Sequence, residues 1–395
     1  MSDDSKDERP DFGSADSLIT IDIDAVIANW RALDHQNGEA TETAAVVKAD
    51  GYGLGALRLG PSLAAAGCRT FFVMSLAEAV ALRAALDGSG HDAAAIFTLS
   101  GCHAGQEADF RAHRITPVIN SLEQLRRLMA TGDDWRVAIH VDTGMTRLGL
   151  DRAELAALQE MMTGQKGGLG GVTPCLLMSH LTAAEDLKDP ASARQLADFR
   201  NLVGLFPDVP ASLGNSAGTL LGPDYAFSMT RPGIALYGLH PAGMDAEGSQ
   251  QDEAARLRPA VTWQARILQR RKARQGDAVG YNGTHVCQRD SRIVTLGVGY
   301  ADGYPRSLGN RARVVVGGRQ APVVGRVSMD SITVDVTDLD ADLVDGAGHA
   351  TVLGAGYSLA QMAADAGTIG YEILTQLGRR PARRFKGGQK RETGA

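Results

Sequence analysis

The sequence contains only four cysteines and has no long hydrophobic run. The cysteines (Cys68, Cys102, Cys175 and Cys287) are widely spaced and form no C-x-x-C pair or cysteine–histidine cluster, so neither a disulfide framework nor a metal site is predicted. We interpret them as free thiols in a reducing cytosol. No run approaches the roughly 18 to 20 apolar residues that a membrane helix needs, so no membrane partner is expected.

The sequence also has no excess of positive charge. Lys and Arg number 40 against 46 Asp and Glu, and the net charge is -6. Nothing therefore attracts nucleic acid or an anionic membrane, and no nucleic-acid partner is expected. A hydrophobic fraction of 44% excludes a mainly disordered chain, and 395 residues allow two or three domains.

Three polar segments mark out the predicted domains. Residues 1–17 lack the apolar core of a secretory signal, so we expect a flexible tail and a cytoplasmic protein. Residues 241–257 read as a linker, and the basic residues 386–395 as a second tail. Two domains are left, over residues 18–240 and 258–385.

Residues 18–240 alternate strand-like runs with helical patterns, which indicates a parallel sheet. Leu18–Ile23 alternates like a strand, and eight short apolar runs follow. These runs cover residues 43–48, 70–75, 94–100, 115–120, 136–142, 173–180, 210–215 and 233–238. Eight repeats fit an N-terminal (β/α)8 barrel of the TIM type. A doubly wound sheet is the alternative, weakened by the lack of a G-x-G-x-x-G turn after the first strand.

Residues 258–350 have a different pattern. Short β-branched runs are separated by Gly, Asp or Asn turns, which predicts a mainly β C-terminal domain. A final helix–strand piece begins near residue 370.

Lys48 is the sharpest candidate for chemistry, because it ends the first barrel strand in VVKADGYGLG and barrel active sites lie at that end of the strands. Burial would lower its pKa and suit it to Schiff-base formation. A lysine that extends from the barrel rim into solvent is an equally good interpretation of this residue alone.

A phosphate site is predicted on the same rim. The glycine-rich turn after Lys48 opens a helix, and helix N-termini bind phosphate, although such loops are common. Ser216 and the backbone at Gly233 and Ile234 offer a second anion-binding edge. A reactive lysine and a phosphate cradle together point to pyridoxal phosphate.

VVKADGYGLG resembles the cofactor-lysine motif of the alanine racemase family. The resemblance extends in family order over about residues 18–385, through HVDTGMTRLGL, SHLTAAED, GNSAGTLL, TRPGIALYGLHP, VGYNGTHV, GYADGYPR, VGRVSMDS and GTIGYEIL. Related single-domain barrel proteins are not expected to share the motifs of the β domain.

The resemblance implies specific roles. Lys48 would bind the cofactor and act as one proton-transfer base, and Tyr281, supplied by the other subunit of a head-to-tail homodimer, would be the second. Arg231 would face the pyridine nitrogen, and His180 would link Arg231 to the tyrosine. Arg147 and Met329 would lie near the substrate carboxylate. The implied phosphate contacts are Tyr52, Ser216, Gly233, Ile234 and Tyr371, and the implied entrance residues are Tyr300, Arg306 and Arg326.

Two bases suit racemisation, because the α-proton leaves one face and returns on the other. A free tyrosine has a pKa of about 10, so Tyr281 needs neighbours that stabilise its phenolate. His180 and Arg231 could supply that field. A guanidinium stays protonated, so Arg231 would leave the ring nitrogen unprotonated.

Two positions depart from the family pattern. His140 stands where many members carry a carbamylated lysine that holds the substrate-binding arginine, so Arg147 must be held in another way. Leu54 replaces a common histidine, with no chemical consequence that we can identify.

The leading hypothesis is an alanine racemase that supplies D-alanine for peptidoglycan. A racemase of the same fold with different specificity, for example for serine, is the alternative, because an apolar pocket discriminates one methylene or hydroxyl by only about 1–3 kcal/mol. A non-catalytic pyridoxal-phosphate carrier is the third hypothesis, and the presence of both Lys48 and Tyr281 disfavours it.

Overall fold

The computed structural model describes residues 11–163, 168–246, 252 and 256–388. They divide between two compact units, one within residues 25–258 and one built from residues up to 24 together with residues from 259 onward. About half of the predicted linker, most of the basic tail and residues 1–10 lie outside the described residues.

The unit within residues 25–258 is built around parallel strands that pair in chain order. The short strand β2 (Glu42–Thr43) precedes seven strands of one parallel sheet. They are β3 (Ala45–Val46), β4 (Thr70–Val73), β5 (Ala95–Thr98), β6 (Thr116–Ile119), β7 (Trp135–His140), β8 (Val172–Met178) and β9 (Ala211–Ser212).

One further strand connects the last strand of this sheet with the first. Residues of β10 (Met229–Thr230) pair in parallel with β2, and the Val46 N–H donates to the Pro232 carbonyl. On the other side the Ser228 N–H donates to the Ala211 carbonyl, and the Arg231 N–H to Gly214. The strands therefore close into a barrel, which confirms the predicted fold class.

The predicted eighth strand at residues 233–238 is wrong. Ile234–Tyr237 forms a 3-10 helix, and the strand that closes the barrel lies just before it, at Met229–Thr230. All four residues of the 3-10 helix are buried. Burial alone makes such a run apolar, so the pattern cannot separate a helical turn from a strand.

Helices follow most strands of this unit. They are α1 (Ile23–Asn37), α2 (Lys48–Tyr52), α3 (Ala56–Ala65), α4 (Leu76–Asp87), α5 (Glu107–Ala112), α6 (Leu122–Ala130), α7 (Arg152–Thr163), α8 (Ala191–Val203) and α9 (Ser216–Leu220). Serine side chains begin two of them: the hydroxyl of Ser75 accepts from the N–H of Glu78, and that of Ser121 accepts from Gln124. Within the described residues no helix is both long and apolar enough to cross a membrane.

The second unit is mainly β, as predicted. In its main sheet β1 (Ser17–Asp22) lies between β11 (Val261–Ala273) and β19 (Ala382–Lys386): β1 pairs antiparallel with β11 and parallel with β19, which lies at the edge of the sheet. The other strands are β12 (Ala278–Val279), β13 (His285–Val286), β14 (Ser291–Leu296), β15 (Arg313–Val316), β16 (Arg319–Pro322), β17 (Ile332–Asp335) and β18 (His349–Leu353). The described residues of this unit also form three α-helices: α10 (Ala341–Gly346), α11 (Leu359–Ala366) and α12 (Gly370–Thr375).

The start of the chain therefore differs from the expected domain plan. We expected the barrel domain to begin at residue 18, but β1 belongs to the second unit, where Ile19 and Ile21 are fully buried. Part of the expected flexible tail is also ordered: Phe12 is buried, and the Arg266 guanidinium lies over its ring, 4.7 Å from the centroid. Order along the chain does not tell which sheet a strand joins.

Candidate active site

Lys48 lies at the carboxyl end of β3 and is the first residue of α2. Its side chain is half-buried. Burial lowers the pKa of Lys48, the Arg147 cation lowers it further, and the Glu78 carboxylate opposes both. A lysine with a lowered pKa is more often neutral near pH 7, and a neutral amine is the form that acts as nucleophile or base.

The chain turns sharply after Lys48. Ala49, Asp50, Gly51 and Tyr52 all have left-handed backbone angles, with φ between 52° and 63°. Glu78, at the start of α4, reaches this turn, and its Oε1 accepts a hydrogen bond of 2.7 Å from the Ala49 N–H. The turn brings Tyr52 back into the barrel, where its ring lies 5.0 Å from that of Tyr237.

Arg231 follows β10 and is buried. Its guanidinium donates to the Ser212 hydroxyl, at the end of β9, and to the Ser179 carbonyl, just after β8. Burial lowers the pKa of Arg231 to about 9, so the group still carries its proton at neutral pH. A fixed, protonated guanidinium can donate a hydrogen bond but cannot give a proton to a ring nitrogen that faces it.

Tyr52, Ser216, Gly233 and Ile234 are brought together in this unit. The Ser216 hydroxyl oxygen accepts from the Gly233 N–H at 2.8 Å and from the Ala235 N–H at 3.3 Å, which leaves its hydrogen free to donate. A Cβ built at Gly233 would lie 2.1 Å from the Tyr52 hydroxyl oxygen. Only glycine allows this approach, and the small cradle so formed fits the phosphate of pyridoxal phosphate.

His180 and His140 both lie among cations. Burial, Arg231 and Arg147 hold the pKa of His180 well below its usual range. Burial and Arg231 lower the pKa of His140 to about 4. Both imidazoles are therefore neutral at pH 7, and the lasting positive charge of this region belongs to Arg147 and Arg231.

The neighbours of His140 indicate its tautomer. The amide nitrogen of Asn120 donates to the Leu99 and Val118 carbonyls, so its Oδ1 faces His140 Nδ1, at 2.8 Å, as an acceptor. The hydrogen bond then requires the proton on Nδ1, and Nε2 is left as an acceptor.

Arg147 lies on an exposed loop after β7. The carboxylate of Asp142 accepts from the backbone N–H groups of Gly144, Met145 and Thr146, which shapes the loop just before Arg147. The guanidinium side chain thus projects from a fixed backbone, and it is close enough to lower the pKa of Lys48.

The remaining predicted site residues belong to the second unit. Tyr281, Tyr300 and Met329 are 69%, 44% and 53% exposed. Two backbone hydrogen bonds join the segments that carry Tyr300 and Met329: the Tyr300 N–H donates to the Ser328 carbonyl, and the Ala301 N–H donates to the Met329 carbonyl. Arg306 and Arg326 are exposed, and Tyr371 lies in the first turn of α12.

Four residues outside the predicted site contact its segments: Glu78, Asn120, Asp302 and Arg380. For Glu78 a signal existed, because Ser-x-x-Glu after an apolar run is a capping box. For Asn120, and for the ion pair between Asp302 and Arg380, the sequence offers no local pattern. Among the described residues, no group of three or more His, Cys, Asp or Glu side chains could hold a metal ion.

Comparisons with known proteins agree with this architecture. Residues 21–241 match the family model "Alanine racemase, N-terminal domain", and residues 260–385 match "Alanine racemase, C-terminal domain". An alanine racemase of Acidiphilium cryptum is 46% identical, over 93% of this chain and 98% of that protein. One from Rhizobium meliloti is 41% identical, over 96% of this chain and 100% of that protein.

Solved structures are similar over nearly the whole chain. Alanine racemase from Bartonella henselae, with covalently bound pyridoxal phosphate, superposes with a TM-score of 0.84 at 36% identity and covers 94% of this chain and 100% of its own. The biosynthetic alanine racemase from Pseudomonas aeruginosa gives the same TM-score at 34% identity, with the same coverage.

Proposed function

Because this chain belongs to the alanine racemase family, we propose that it interconverts L-alanine and D-alanine with pyridoxal phosphate bound at Lys48. The observation that carries the proposal is the arrangement at the barrel rim. A lysine of lowered pKa, a buried guanidinium and a glycine cradle occur together there. The D-alanine formed would supply peptidoglycan synthesis, and the cytoplasm is the proposed location.

The chemistry that pyridoxal phosphate supplies when bound is electron withdrawal from the substrate Cα, which acidifies the α-proton. Lys48 holds the cofactor, and its Nζ then takes or returns the proton on one face. Arg231 keeps its own proton and leaves the ring nitrogen unprotonated. Ser216 and Tyr52 bind the phosphate together with the backbone at Gly233 and Ile234, and Tyr371 is a further proposed phosphate contact.

The second acid–base group is Tyr281 of the partner subunit, which takes a proton as the phenolate and returns one as the phenol. Tyr281 is 69% exposed in its own chain, which supports a homodimer whose partner covers it. Arg147 binds the substrate carboxylate, and Met329 lies near it. His180 is neutral and transmits the field of Arg231 toward the phenolate. Tyr300, Arg306 and Arg326 line the entrance.

The test combines spectroscopy with isotope exchange. Purified protein with pyridoxal phosphate should show a visible absorption band, exchange the α-proton of L-alanine in D2O and form D-alanine. Racemisation of serine, lysine and arginine should be measured beside that of alanine to determine the specificity. Faster turnover of any of these than of alanine would favour the racemase of different specificity.

Two variants separate the hypotheses. Tyr281→Phe should keep the visible band and lose racemisation by at least about 10²-fold, because one base cannot serve both faces. Lys48→Ala should lose the band. A visible band without D-product from any of the amino acids would favour the carrier, and no band at all in the unmodified protein would refute the role of Lys48.

A further inference from the structure

The backbone just after Lys48 adopts a conformation that its residues do not favour. Ala49, Asp50 and Tyr52 have φ of 52°, 54° and 56°, in the left-handed region where a Cβ crowds the following carbonyl. Hydrogen bonds inside the turn, such as Gly53 N–H to the Ala49 carbonyl at 2.7 Å, satisfy part of its backbone. A side chain outside the turn supplies a further contact.

That side chain is Glu78, the third residue of α4. Its Oε1 accepts from the Ala49 N–H at 2.7 Å. Its Oε2 accepts from the Met74 N–H at 2.7 Å and from the Ser75 N–H at 3.1 Å. One carboxylate therefore connects the residue that follows Lys48 with the end of the neighbouring strand β4.

The end of another strand, β6, shows why the position of Glu78 needs a carboxylate. At Ser121-x-x-Gln124 the same capping arrangement carries an amide: Gln124 Oε1 accepts from Asn120 N–H at 2.8 Å, and its Nε2 donates to the Ser100 carbonyl at 3.1 Å. There one neighbour is a donor and the other an acceptor. At Glu78 both neighbours are N–H donors, so only a group with two acceptor oxygens satisfies both.

We propose that Glu78 is a positioning residue for Lys48, whose carboxylate holds the left-handed turn over residues 49–52 and so fixes the direction of the lysine side chain. The inference rests on the proposed role of Lys48. The same carboxylate is also the negative charge that raises the pKa of Lys48 against burial and Arg147. Glu78 thus sets both the place and the protonation of the lysine without touching the substrate.

The variant Glu78→Gln tests both effects. A glutamine of the same size must turn its NH2 toward either Ala49 or Met74, so one hydrogen bond is replaced by a donor–donor contact. We expect kcat to fall by between tenfold and about 100-fold, since misplacing a reacting group by about 1 Å can cost 10²-fold. Loss of the negative charge lowers the pKa of Lys48, so the acid limb of the kcat–pH profile should move to lower pH.

Glu154→Gln is the matched control. Glu154 Oε1 also accepts a backbone N–H from a neighbouring element, that of Leu122 at 2.9 Å. Within the described part of the chain this is its one bridging bond, and an amide oxygen can keep it. The kcat of Glu154→Gln should stay within threefold of that of the unmodified enzyme, and its kcat–pH profile should not shift. A purely structural role for Glu78 would lower activity without moving the pH limb.

Hydrogen exchange of the holoenzyme gives a readout that is independent of turnover. The Ala49 amide should be protected in the unmodified protein and exchange at least tenfold faster in Glu78→Gln. Rapid exchange of Ala49 in the unmodified protein would overturn the proposal even if the variant failed to fold, and so would a variant with unchanged kcat and unchanged exchange. Absence of racemisation by the unmodified protein would instead refute the proposed function, while the exchange data would still test the turn.

Discussion

The ion pair between Arg380 and Asp302 allows a stability prediction that can be worked from the structure. Arg380 donates to Asp302 through Nε at 2.6 Å and Nη2 at 2.7 Å, and the Asp302 side chain is only 4% exposed. The same carboxylate accepts from the Gly299 N–H at 2.8 Å, and the Asp302 carbonyl accepts from the Gly378 N–H. Arg380→Ala would leave a buried carboxylate with one of its three donors.

Breaking a fully buried pair in this way costs about 3–5 kcal/mol. The Arg380 side chain is 48% exposed, so water can reach part of the vacated space, and we expect about 2 kcal/mol. For a domain of 150 to 250 residues, 1 kcal/mol lowers Tm by about 2–4 °C, so the second unit should melt about 4–8 °C lower. Asp302→Asn should cost less, because it removes the buried charge itself, and the double variant should recover part of the loss.

Thermal unfolding followed by circular dichroism and calorimetry measures these shifts. Asp338→Asn is the matched control, since its pair with Arg289 is exposed on both sides and its loss should leave Tm almost unchanged. An Arg380→Ala protein that melts within 1 °C of the unmodified chain would refute the reasoning. The reasoning would also be refuted if Asp302→Asn lowered Tm more than Arg380→Ala does, or if the losses of the two single variants simply added in the double variant.

Two further predictions concern the charges around Lys48. His140 has no amine that can carry a carbamate, so kcat/KM should change less than twofold between CO2-free buffer and buffer with added bicarbonate. A larger change in kcat/KM would reveal another carbamylated group. Arg147 lowers the pKa of Lys48, so Arg147→Gln should raise that pKa and move the acid limb of the kcat–pH profile to higher pH, in the opposite direction to Glu78→Gln. The same variant should raise KM for alanine. An acid limb that stays in place would show that Arg147 does not act on the lysine.

Much of the barrel could be predicted from the sequence, because its buried parallel strands are short apolar runs followed by helical patterns. The runs at residues 70–75, 94–100 and 115–120 each contain a strand of the structure. The run at 233–238 failed because a buried 3-10 helix is as apolar as a buried strand. The strand over Ser17–Asp22 was identified as a strand but assigned to the wrong unit, since its partners come from residues far along the chain.

The candidate site, like the fold, could be predicted only in part. Residues at strand ends, such as Lys48 and Arg231, could be located because motif and strand position coincide. The residues that hold them could not, because hydrogen bonds such as that between Glu78 and the Ala49 N–H depend on a left-handed turn that a list of residues does not reveal. Asp302 and Arg380 are 78 positions apart, and neither carries a local signal of the other.

The pairing of β1 has a consequence for the order of synthesis. Leu18 is translated long before either of its partners, because it pairs with Gln264 on one side and with Ala382 on the other. At about 5–20 residues per second, the whole barrel is translated before either partner strand exists. Until then β1 is a short apolar strand with two open edges, of the kind that invites wrong pairing. The nascent chain therefore depends on the barrel folding early, and a transcript that ends before β19 would yield a protein whose first strand never gains its second neighbour.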